Sequence, residues 1–311
     1  MVAVVRYSDR YKPEWDAFVK ASKNGTFLFQ RDYMEYHADR FEDHSLLFYH
    51  KDKLVAVLPA SAVNNELHSH AGLSYGGMVS SRKMKSPLML QVFEAVVRYS
   101  RKQHFKALYY KAIPHIYHQL PAEEDLYALF RHEATLYRRD VNSVIDLGQP
   151  VRYSQDRRWR LSQGRQQEWQ VQQSEDYAGF MQLVATTLES RHGLQPVHTA
   201  AEVGRLAQLF HENIRLYTIT QEGELLTGAL VYETATAAHC QYIGANKKAQ
   251  EEGAAYVLVD HLIRKVYPHK KYFSFGVSTE QQGLYLNEGL AKYKESYGAR
   301  TLVHDFYRLD F

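Results

Sequence analysis

Residues 275–300 read FGVSTEQQGLYLNEGLAKYKESYGAR, and this pattern predicts the end of a strand, a turn and a helix. At about 100° per residue the predicted helix carries one apolar stripe, formed by Leu286, Leu290, Tyr293 and Tyr297. Ser278 and Gln281 are three residues apart, which predicts a capping box at the start of the helix.

Lys294 is the unusual residue of this helix, because it falls at the edge of the apolar stripe, on the side that carries Asn287. Lys292, by contrast, follows Glu288 by four residues, the order of a solvated ion pair. A partly buried ammonium needs partners, since an unpaired charge inside a protein is costly. The pattern alone leaves two interpretations open: a functional cation, or a lysine whose stem covers apolar surface while its ammonium reaches water.

The composition is that of a soluble globular protein large enough for two domains. Of 311 residues, 45% are hydrophobic, 13% aromatic and 23% charged. The net charge of +3 is too small to indicate nucleic-acid binding by itself, because that function normally needs a concentrated basic face. The opening residues MVAVVRYSDRYKPEW combine early charges with no long apolar run. We therefore expect no signal peptide, no membrane span and a cytoplasmic location.

Strand and helix signals occur in the same order in both halves of the chain. Each half has a hairpin, with KDK or EGE at its turn, then a third strand and an amphipathic helix, at Leu88 to Lys102 or Ala254 to Val266. A short strand, another helix and a last strand follow in each half. Antiparallel hairpins joined to strand–helix–strand connections predict an α/β fold with a mixed sheet. The Arg- and Gln-rich segment 151–173 divides the halves, so we expect domains at 1–150 and 151–311.

This order resembles the GNAT (acyl-CoA N-acyltransferase) fold present twice, the architecture of the FemABX-like peptidyltransferases. The most specific similarity is FSFGVSTEQQGLYLNEGLAKYKESYGAR, which looks like the family's strand, Phe-Gly turn and helix ending in aromatic-Lys-x-x-aromatic-Gly. SHAGLSYGGMV, ESRHGLQPVHT and HCQYIGAN are further similar stretches. The resemblance covers nearly the whole chain. It implies two tandem GNAT-like domains, of which the second carries the transferase site. In the first half the place of the donor loop is taken by MVSSRKMKSP, which lacks the glycine pattern, so we expect that this half has lost donor binding.

In the Fem-like proteins the lysine of this motif faces the transferred group, so the resemblance implies a catalytic Lys294. A fixed cation aimed at the carbonyl oxygen lowers the barrier when an amine attacks an acyl group; the same cation would equally suit a donor phosphate or terminal ribose. Asn287 and Tyr293 are the catalytic candidates beside it, and His192 is a candidate base for the acceptor amine, since histidine titrates near neutral pH. A surface position is the alternative for His192.

The acyl donor has one candidate site in the sequence. Gln250, Gly253 and Ala255 match the Gln-x-x-Gly-x-Ala spacing with which acetyl-CoA enzymes of this fold cradle pyrophosphate, and Asn246 and Lys247 lie just before them. Two glutamates inside this motif, Glu251 and Glu252, oppose an anion there. Acyl-CoA and aminoacyl-tRNA therefore both remain candidate co-substrates, and no tightly bound cofactor is expected.

The Arg-rich segment supplies the candidates for acceptor binding. In the resembling family a basic segment at this boundary reaches a nucleotide-linked acceptor, which suggests Arg158 and Arg165, because a guanidinium binds phosphate oxygens in pairs. A solvated surface is the alternative. Tyr242, with Tyr75 and Gly76 from the first half, is expected to bound the same site.

Metal chemistry and covalent catalysis are not expected. The histidines are not arranged with carboxylates or cysteines as a tetrahedral metal set. Cys240 is the single cysteine, so an intrachain disulfide is excluded, and we expect a small buried residue. Direct attack in a ternary complex is therefore the predicted chemistry, because no activated nucleophile is visible.

The sequence predicts an N-acyltransferase that moves an acyl or aminoacyl group to an amine. By resemblance the acceptor is a small-molecule, sugar-linked or cell-envelope precursor. The alternatives are an aminoacyl-tRNA-dependent peptidyltransferase of the Fem type, with tRNA as partner, and a catalytically inactive GNAT-like binding protein. The oligomeric state stays open.

Overall fold

The chain forms two compact units in the computed structural model, which describes residues 1–193 and 195–311, and of residues 190–192 the backbone only. Unit 1 comprises Met1–Val141, Thr279–Tyr285 and Val303–Phe311. Unit 2 comprises Asn142–Ser278 and Leu286–Leu302. Each unit is therefore built from stretches that are far apart in sequence.

The β-strands are numbered in chain order. They are β1 (Val2–Arg6), β2 (Leu46–His50), β3 (Lys53–Leu58), β4 (Ser61–Val63), β5 (Glu66–His68), β6 (Val79–Ser80), β7 (Ala107–Lys111), β8 (Thr135–Asp146), β9 (Gln172–Ser174), β10 (Ile214–Gln221), β11 (Glu224–Glu233), β12 (Ala237–Ala245), β13 (Tyr272–Val277), β14 (Thr279–Glu280), β15 (Tyr285–Leu286) and β16 (Arg300–Asp310).

The α-helices are numbered in the same way. They are α1 (Lys12–Ala21), α2 (Arg31–Met34), α3 (Ser86–Lys102), α4 (Glu124–Arg131), α5 (Gln155–Arg165), α6 (Tyr177–His192), α7 (Ala200–Leu209), α8 (Lys247–Glu252), α9 (Ala254–His261) and α10 (Glu288–Glu295). A π-helical turn, Leu262–Val266, continues α9. The helix predicted over Ala254 to Val266 is therefore present, with an α-helical first part and a π-helical last turn. Within the described residues no helix is long and apolar enough to cross a membrane.

Unit 1 packs the amphipathic helix α3 against its sheets. The strand order is β1-β2-β3-β6 in one sheet, and β4-β5-β7-β16 follow one another in a second. Phe93 and Val96 lie on the buried face of α3 and join Phe48 and Tyr110 in one apolar cluster. The three- and four-residue spacing of apolar residues predicted one buried face on this helix, and α3 has that face.

Unit 2 has the strand order β8-β13-β12-β11-β10-β9. The hairpin β10–β11 and the pair β11–β12 are antiparallel, whereas β12 and β13 are parallel. Helix α9 covers this sheet, and its Leu258 and Val259 are fully buried with Phe273 and Tyr297. A mixed sheet with helices on it was predicted, and this α/β fold class is confirmed.

The last strand of each sequence half is divided between the two units, since β8 passes from unit 1 to unit 2 after Val141 and β16 passes from unit 2 to unit 1 after Leu302. Asp146 and its neighbours in β8 pair with Tyr272 and its neighbours in β13 of unit 2. Residues Phe306 to Asp310 of β16 pair antiparallel with β7 of unit 1. The expected domains 1–150 and 151–311 differ from the observed units for this reason, since backbone pairing joins strands regardless of their distance in sequence.

The segment before α10 differs from the predicted capped turn. Residues 279–286 form the short pair β14–β15 around a 3₁₀ turn, so Ser278 does not cap the helix, and the predicted capping box with Gln281 was wrong. Asn287 is the N-cap, its side chain accepting a hydrogen bond of 3.0 Å from the Leu290 amide. Leu286 precedes the helix and is 43% exposed, so it is not part of the buried stripe.

Candidate functional site

A cavity of about 790 Å³ opens in unit 2 where two parallel strands separate. The pairing of β12 with β13 runs from Ala237 and Tyr272 to His239 and Ser274 and extends no further among the described residues. Beyond that point both strands continue and line the cavity. Ends of parallel strands that part in this way are a common position for ligand sites in α/β proteins.

Four elements besides the two strands complete the walls. Helix α6 contributes apolar side chains, α8 and α9 contribute Gln250, Ala255 and Tyr256, and α10 with its N-cap contributes Asn287, Leu290, Tyr293 and Lys294. Strand β12 lines the cavity with five residues between Cys240 and Ala245, instead of every second one. A register shift opposite Gln241 interrupts the alternation, because the β11 residues Leu230 and Val231 face Tyr242 and Cys240.

Lys294 is the buried cation of this cavity. Its side chain is on the inward face of α10 and the residue is 5% exposed. Its Nζ donates to the carbonyl oxygens of Gly276 at 3.0 Å and Val277 at 2.6 Å. Gly276 has φ +73°, a conformation natural for glycine, and it turns the end of β13 toward the lysine. Burial lowers the pKa of Lys294 to about 7, although the neighbouring Cys240 thiol opposes the shift.

His239 lies next to the lysine and was not predicted as a site residue. Its Nδ1 is 3.0 Å from the hydroxyl of Ser274, at the last paired position of the two strands. Burial, followed by the charge of Lys294, lowers the pKa of His239 to about 4, so the imidazole is neutral at pH 7. Because a neutral imidazole adds no charge, Lys294 is the cation at this end of the cavity.

Tyr293 lines the cavity and belongs to a cluster of rings around a buried arginine. The guanidinium of Arg157 lies 4.9 Å from the Tyr293 ring, 4.2 Å from Tyr297 and 4.2 Å from Tyr256. Arg157 is 4% exposed, and its Nε donates to the hydroxyl of Ser296 at 2.9 Å. Burial raises the pKa of Tyr293, while a hydrogen bond from Tyr297 and the charge of Arg157 oppose the rise. Arg157 was not among the predicted site residues, and its burial follows from the apolar face of α5 that it shares with Leu161.

Tyr242 lines the cavity from β12. Its hydroxyl is 2.8 Å from Nδ1 of His198, a buried residue of the loop before α7. Burial raises the pKa of Tyr242, so it is a neutral phenol. The predicted base His192 ends α6, and its side chain lies outside the described residues.

The predicted phosphate-binding segment is helical. Asn246 caps α8, accepting from the Ala249 amide at 2.8 Å, and the Gln250 amide donates to the Asn246 carbonyl. The Gln250 side chain donates to the Ala245 carbonyl at 2.8 Å, and Lys247 is exposed beside Glu251. Gln250 and Ala255 line the cavity, whereas Asn246 and Lys247 do not.

Gly253 joins α8 to α9 and is covered by α5. It has φ +91°, and a Cβ built on it would lie 3.2 Å from the Cα of Gly164 and 3.2 Å from the Arg160 carbonyl oxygen. The glycine is therefore explained by a close helix contact and a left-handed turn.

The two predicted arginines of α5 lie outside the cavity lining. Arg165 donates to Asp260 at 2.8 Å, and that carboxylate also accepts from Tyr153 and Arg264. Arg158 is on the exposed side of the helix. The ion pair gives Arg165 a structural task in unit 2.

Tyr75 and Gly76 belong to unit 1. Tyr75 is 5% exposed, stacks on Tyr117 and has its hydroxyl 3.0 Å from that of Thr26. A Cβ on Gly76 would meet the carbonyl oxygen of Ser69, so the backbone there allows no side chain. Both residues thus have packing roles in their own unit.

Cys240 is buried, as predicted, and also lines the cavity. Burial raises the pKa of its thiol to about 12, so the group is a neutral thiol rather than a nucleophilic thiolate. Within the described part of the chain no three His, Cys, Asp or Glu side chains are grouped to hold a metal ion.

Residues 150–295 match the family model of an acetyltransferase (GNAT) domain. No curated protein matches the chain. Among solved structures, FemX aligns with a TM-score of 0.69 at 10% identity, covering 99% of this chain and 97% of that one. L-PGS from Bacillus licheniformis aligns with 0.61 at 14% identity over 96% and 91%. A tandem GNAT protein from the clavulanic acid biosynthesis pathway aligns with 0.50 at 10% identity over 100% and 98%. At these identities the likeness concerns the fold, and the predicted tandem GNAT, FemX-like architecture is confirmed.

Proposed function

We propose that this chain, which has the FemABX-like tandem GNAT fold and a GNAT acetyltransferase domain at residues 150–295, transfers an acyl or aminoacyl group to an amine. The proposed site is the cavity of unit 2. Following the sequence resemblance, the proposed acceptor is the amine of a small-molecule, sugar-linked or cell-envelope precursor. Donor and acceptor would be bound together, so that the amine attacks directly.

The observation that carries this proposal is the hydrogen bonding of Lys294. An ammonium has three N–H donors, and two of them end on the carbonyl oxygens of Gly276 and Val277. The two bonds fix the group at the cavity wall, and one donor is left for a ligand. A cation fixed in this way needs no reorganisation when negative charge develops next to it.

The chemistry follows from this geometry. The acceptor nitrogen forms a bond to the acyl carbon, and the carbonyl oxygen becomes an oxyanion that the protonated Lys294 stabilises. When the carbonyl reforms, the bond to the donor's leaving atom breaks, and that atom takes up the proton lost by the amine. Tyr293, a neutral phenol in the same wall, is the proposed hydrogen-bond donor to the leaving atom, and Asn287 holds the start of α10 in position.

Acyl-CoA and aminoacyl-tRNA are the donors to be compared. The helical state of α8 argues against a pyrophosphate cradle formed by its amides, because the amides of Ala249, Gln250 and Gly253 already have acceptors. For a CoA donor, the amides at the start of α9, which follow Gly253, remain the proposed diphosphate site.

The test is transfer to a defined amine, measured by mass spectrometry. Acetyl-CoA, longer acyl-CoAs and alanyl-tRNA would each be supplied with a nucleotide-linked muropeptide precursor that carries a free amine. The informative variant is Lys294→Met, and Lys292→Met is the matched control, because Lys292 is on the same helix with its side chain 75% exposed. We expect product with wild type and with the control, and a loss of at least about a hundredfold in rate for Lys294→Met, as for removal of one oxyanion donor.

Two results would contradict the proposal. Equal rates for Lys294→Met and wild type would remove the lysine from the reaction. Binding of donor and acceptor without any product would indicate a GNAT-like binding protein instead of an enzyme.

A further inference from the structure

The cavity of unit 2 is elongated along β12. The strand lines it from Cys240 to Ala245, and at about 3.3 Å per residue this wall is roughly 15 Å long. Lys294 is at the Cys240 end, where ammonium and thiol affect each other's pKa. Helix α6 is at the other end, because a Cβ on Gly244 would lie 3.2 Å from the Val184 side chain.

The end of the cavity away from the lysine is apolar. Val184 and Leu188 of α6 face it, together with Ile243 of β12. The polar side chains at this end are engaged with backbone: Thr187 donates to the Leu183 carbonyl at 2.7 Å and Gln250 to the Ala245 carbonyl at 2.8 Å. A ligand here meets methyl groups rather than unpaired donors or acceptors.

Lys294 supplies the charge of the cavity. Among the described residues that line it, no aspartate or glutamate is present and Lys294 is the one charged side chain. A ligand ammonium placed in this cavity would lose its hydration without gaining a carboxylate, and it would also be repelled by the lysine. Negative charge is accepted only at the lysine end.

We propose that this cavity takes an uncharged, apolar acyl chain, with the carbonyl at Lys294 and the tail running along β12 toward Val184 and Leu188. The inference rests on the proposed acyl transfer and names its acyl group. An aminoacyl group is disfavoured, because its α-ammonium, carried on the carbon bonded to the carbonyl, would lie next to the lysine.

The test measures binding of straight-chain carboxylates to the full-length chain by calorimetry, at about pH 6, where Lys294 is protonated. Acetate, butyrate, hexanoate and octanoate place their carboxylate in the position of the carbonyl oxygen. Burial of one methylene contributes about 0.8 kcal/mol, so each added methylene is expected to tighten binding about fourfold until the cavity is full. 2-Aminooctanoate, which has the same tail and an added α-ammonium, is expected to bind at least about tenfold more weakly than octanoate.

Two further measurements test whether the carboxylate binds in this cavity in the proposed orientation. Octanoate is expected to slow the reaction of Cys240, the only cysteine of the chain, with a maleimide. Ile243→Thr changes a half-buried wall residue of the apolar end and is expected to flatten the dependence on chain length while leaving acetate binding unchanged. Lys292→Met, at an exposed position outside the cavity lining, is the control and is expected to leave the whole series as in wild type.

Three results would overturn the inference: equal affinity for acetate and octanoate, tighter binding of 2-aminooctanoate than of octanoate, or octanoate binding that leaves Cys240 labelling unchanged. The outcome is separable from that of the proposed function. If the protein transfers acetyl or alanyl groups but its affinity for carboxylates does not depend on their length, this inference alone is refuted. Chain-length-dependent binding with no transfer from any donor would refute the proposed enzyme.

Discussion

Replacing Lys294 by methionine is expected to make the protein more stable and inactive at once. Methionine has a similar length and no charge, so the substitution removes the buried ammonium and keeps most of the packing. The pKa of Lys294 falls from 10.5 to about 7 in the folded chain. At about 1.36 kcal/mol per pKa unit, this shift lowers the free energy of unfolding at pH 7 by about 4 kcal/mol relative to a lysine with an unshifted pKa.

Part of that gain is lost with the two hydrogen bonds to Gly276 and Val277. Each is worth about 1 kcal/mol net. We therefore expect Lys294→Met to raise the free energy of unfolding by about 1 to 2 kcal/mol at pH 7, measured by urea denaturation. Lys292→Met, with a side chain 75% exposed, is expected to change it by less than about 0.5 kcal/mol.

The pH dependence provides a second and sharper measurement. Between about pH 7 and pH 10.5 the unfolded chain holds a proton on Lys294 that the folded chain has released. Wild-type stability therefore rises with pH across this window, by up to about 1.4 kcal/mol per pH unit from this group. Lys294→Met lacks that contribution, so its advantage over wild type is expected to shrink toward pH 9. The reasoning is refuted by a variant that is less stable than wild type at pH 7, or by two parallel pH profiles.

Three further predictions concern the walls of the cavity and the helices behind it. Cys240 is expected to react with a maleimide at pH 8 at least about a hundredfold more slowly than a free cysteine, because burial raises the pKa of its thiol to about 12; a rate equal to that of the unfolded chain would contradict its burial. Arg157→Lys is expected to lower the free energy of unfolding by about 2 to 4 kcal/mol, since an ammonium does not replace a planar guanidinium over three rings, and Arg158→Lys, on the exposed side of the same helix, by less than about 0.5 kcal/mol. Gly253→Ala is expected to cost more than Gly223→Ala in a urea titration, because both glycines have positive φ but only at Gly253 would the new methyl group meet another helix; equal costs would show that φ alone accounts for the loss.

The position of Lys294 at the border of the apolar stripe was accessible from sequence because helical geometry is local, whereas only the family resemblance favoured an inward side chain. Leu290 and Tyr293 do line the cavity from one side of α10, and the lysine at the border of that stripe is buried. The start of the helix was not accessible in the same way. Residues 279–286 contain a Gln-Gln-Gly turn in which Gln281 and Gln282 adopt positive φ, a conformation that nothing in their side chains favours.

The partners of the buried charges were also beyond sequence analysis. Arg157 lies within a run of arginines that reads as one solvated face, and only tertiary packing places it, rather than Arg158, over three tyrosine rings. His239 reads as an ordinary strand residue, and its contact with Ser274 depends on which strands are neighbours. The division of β8 and β16 between the units has the same origin, because strand pairing carries no local signal.

A lysine of unit 1 shows why burial alone does not identify a catalytic cation. Lys111 is at the end of β7, and burial lowers its pKa to about 8, much as burial affects Lys294. Its Nζ, however, donates to three backbone carbonyls, those of His70, Ala71 and Leu73. All three donors of the ammonium are spent on the fold, so Lys111 ties the loop after β5 to the strand and has none to offer a ligand. Lys294 is also buried, but its ammonium donates to two carbonyls instead of three, so one N–H donor is available to a ligand in the cavity that it borders. The distinction between a structural and a reactive lysine therefore lies in the count of donors, which supports placing the transfer step in unit 2.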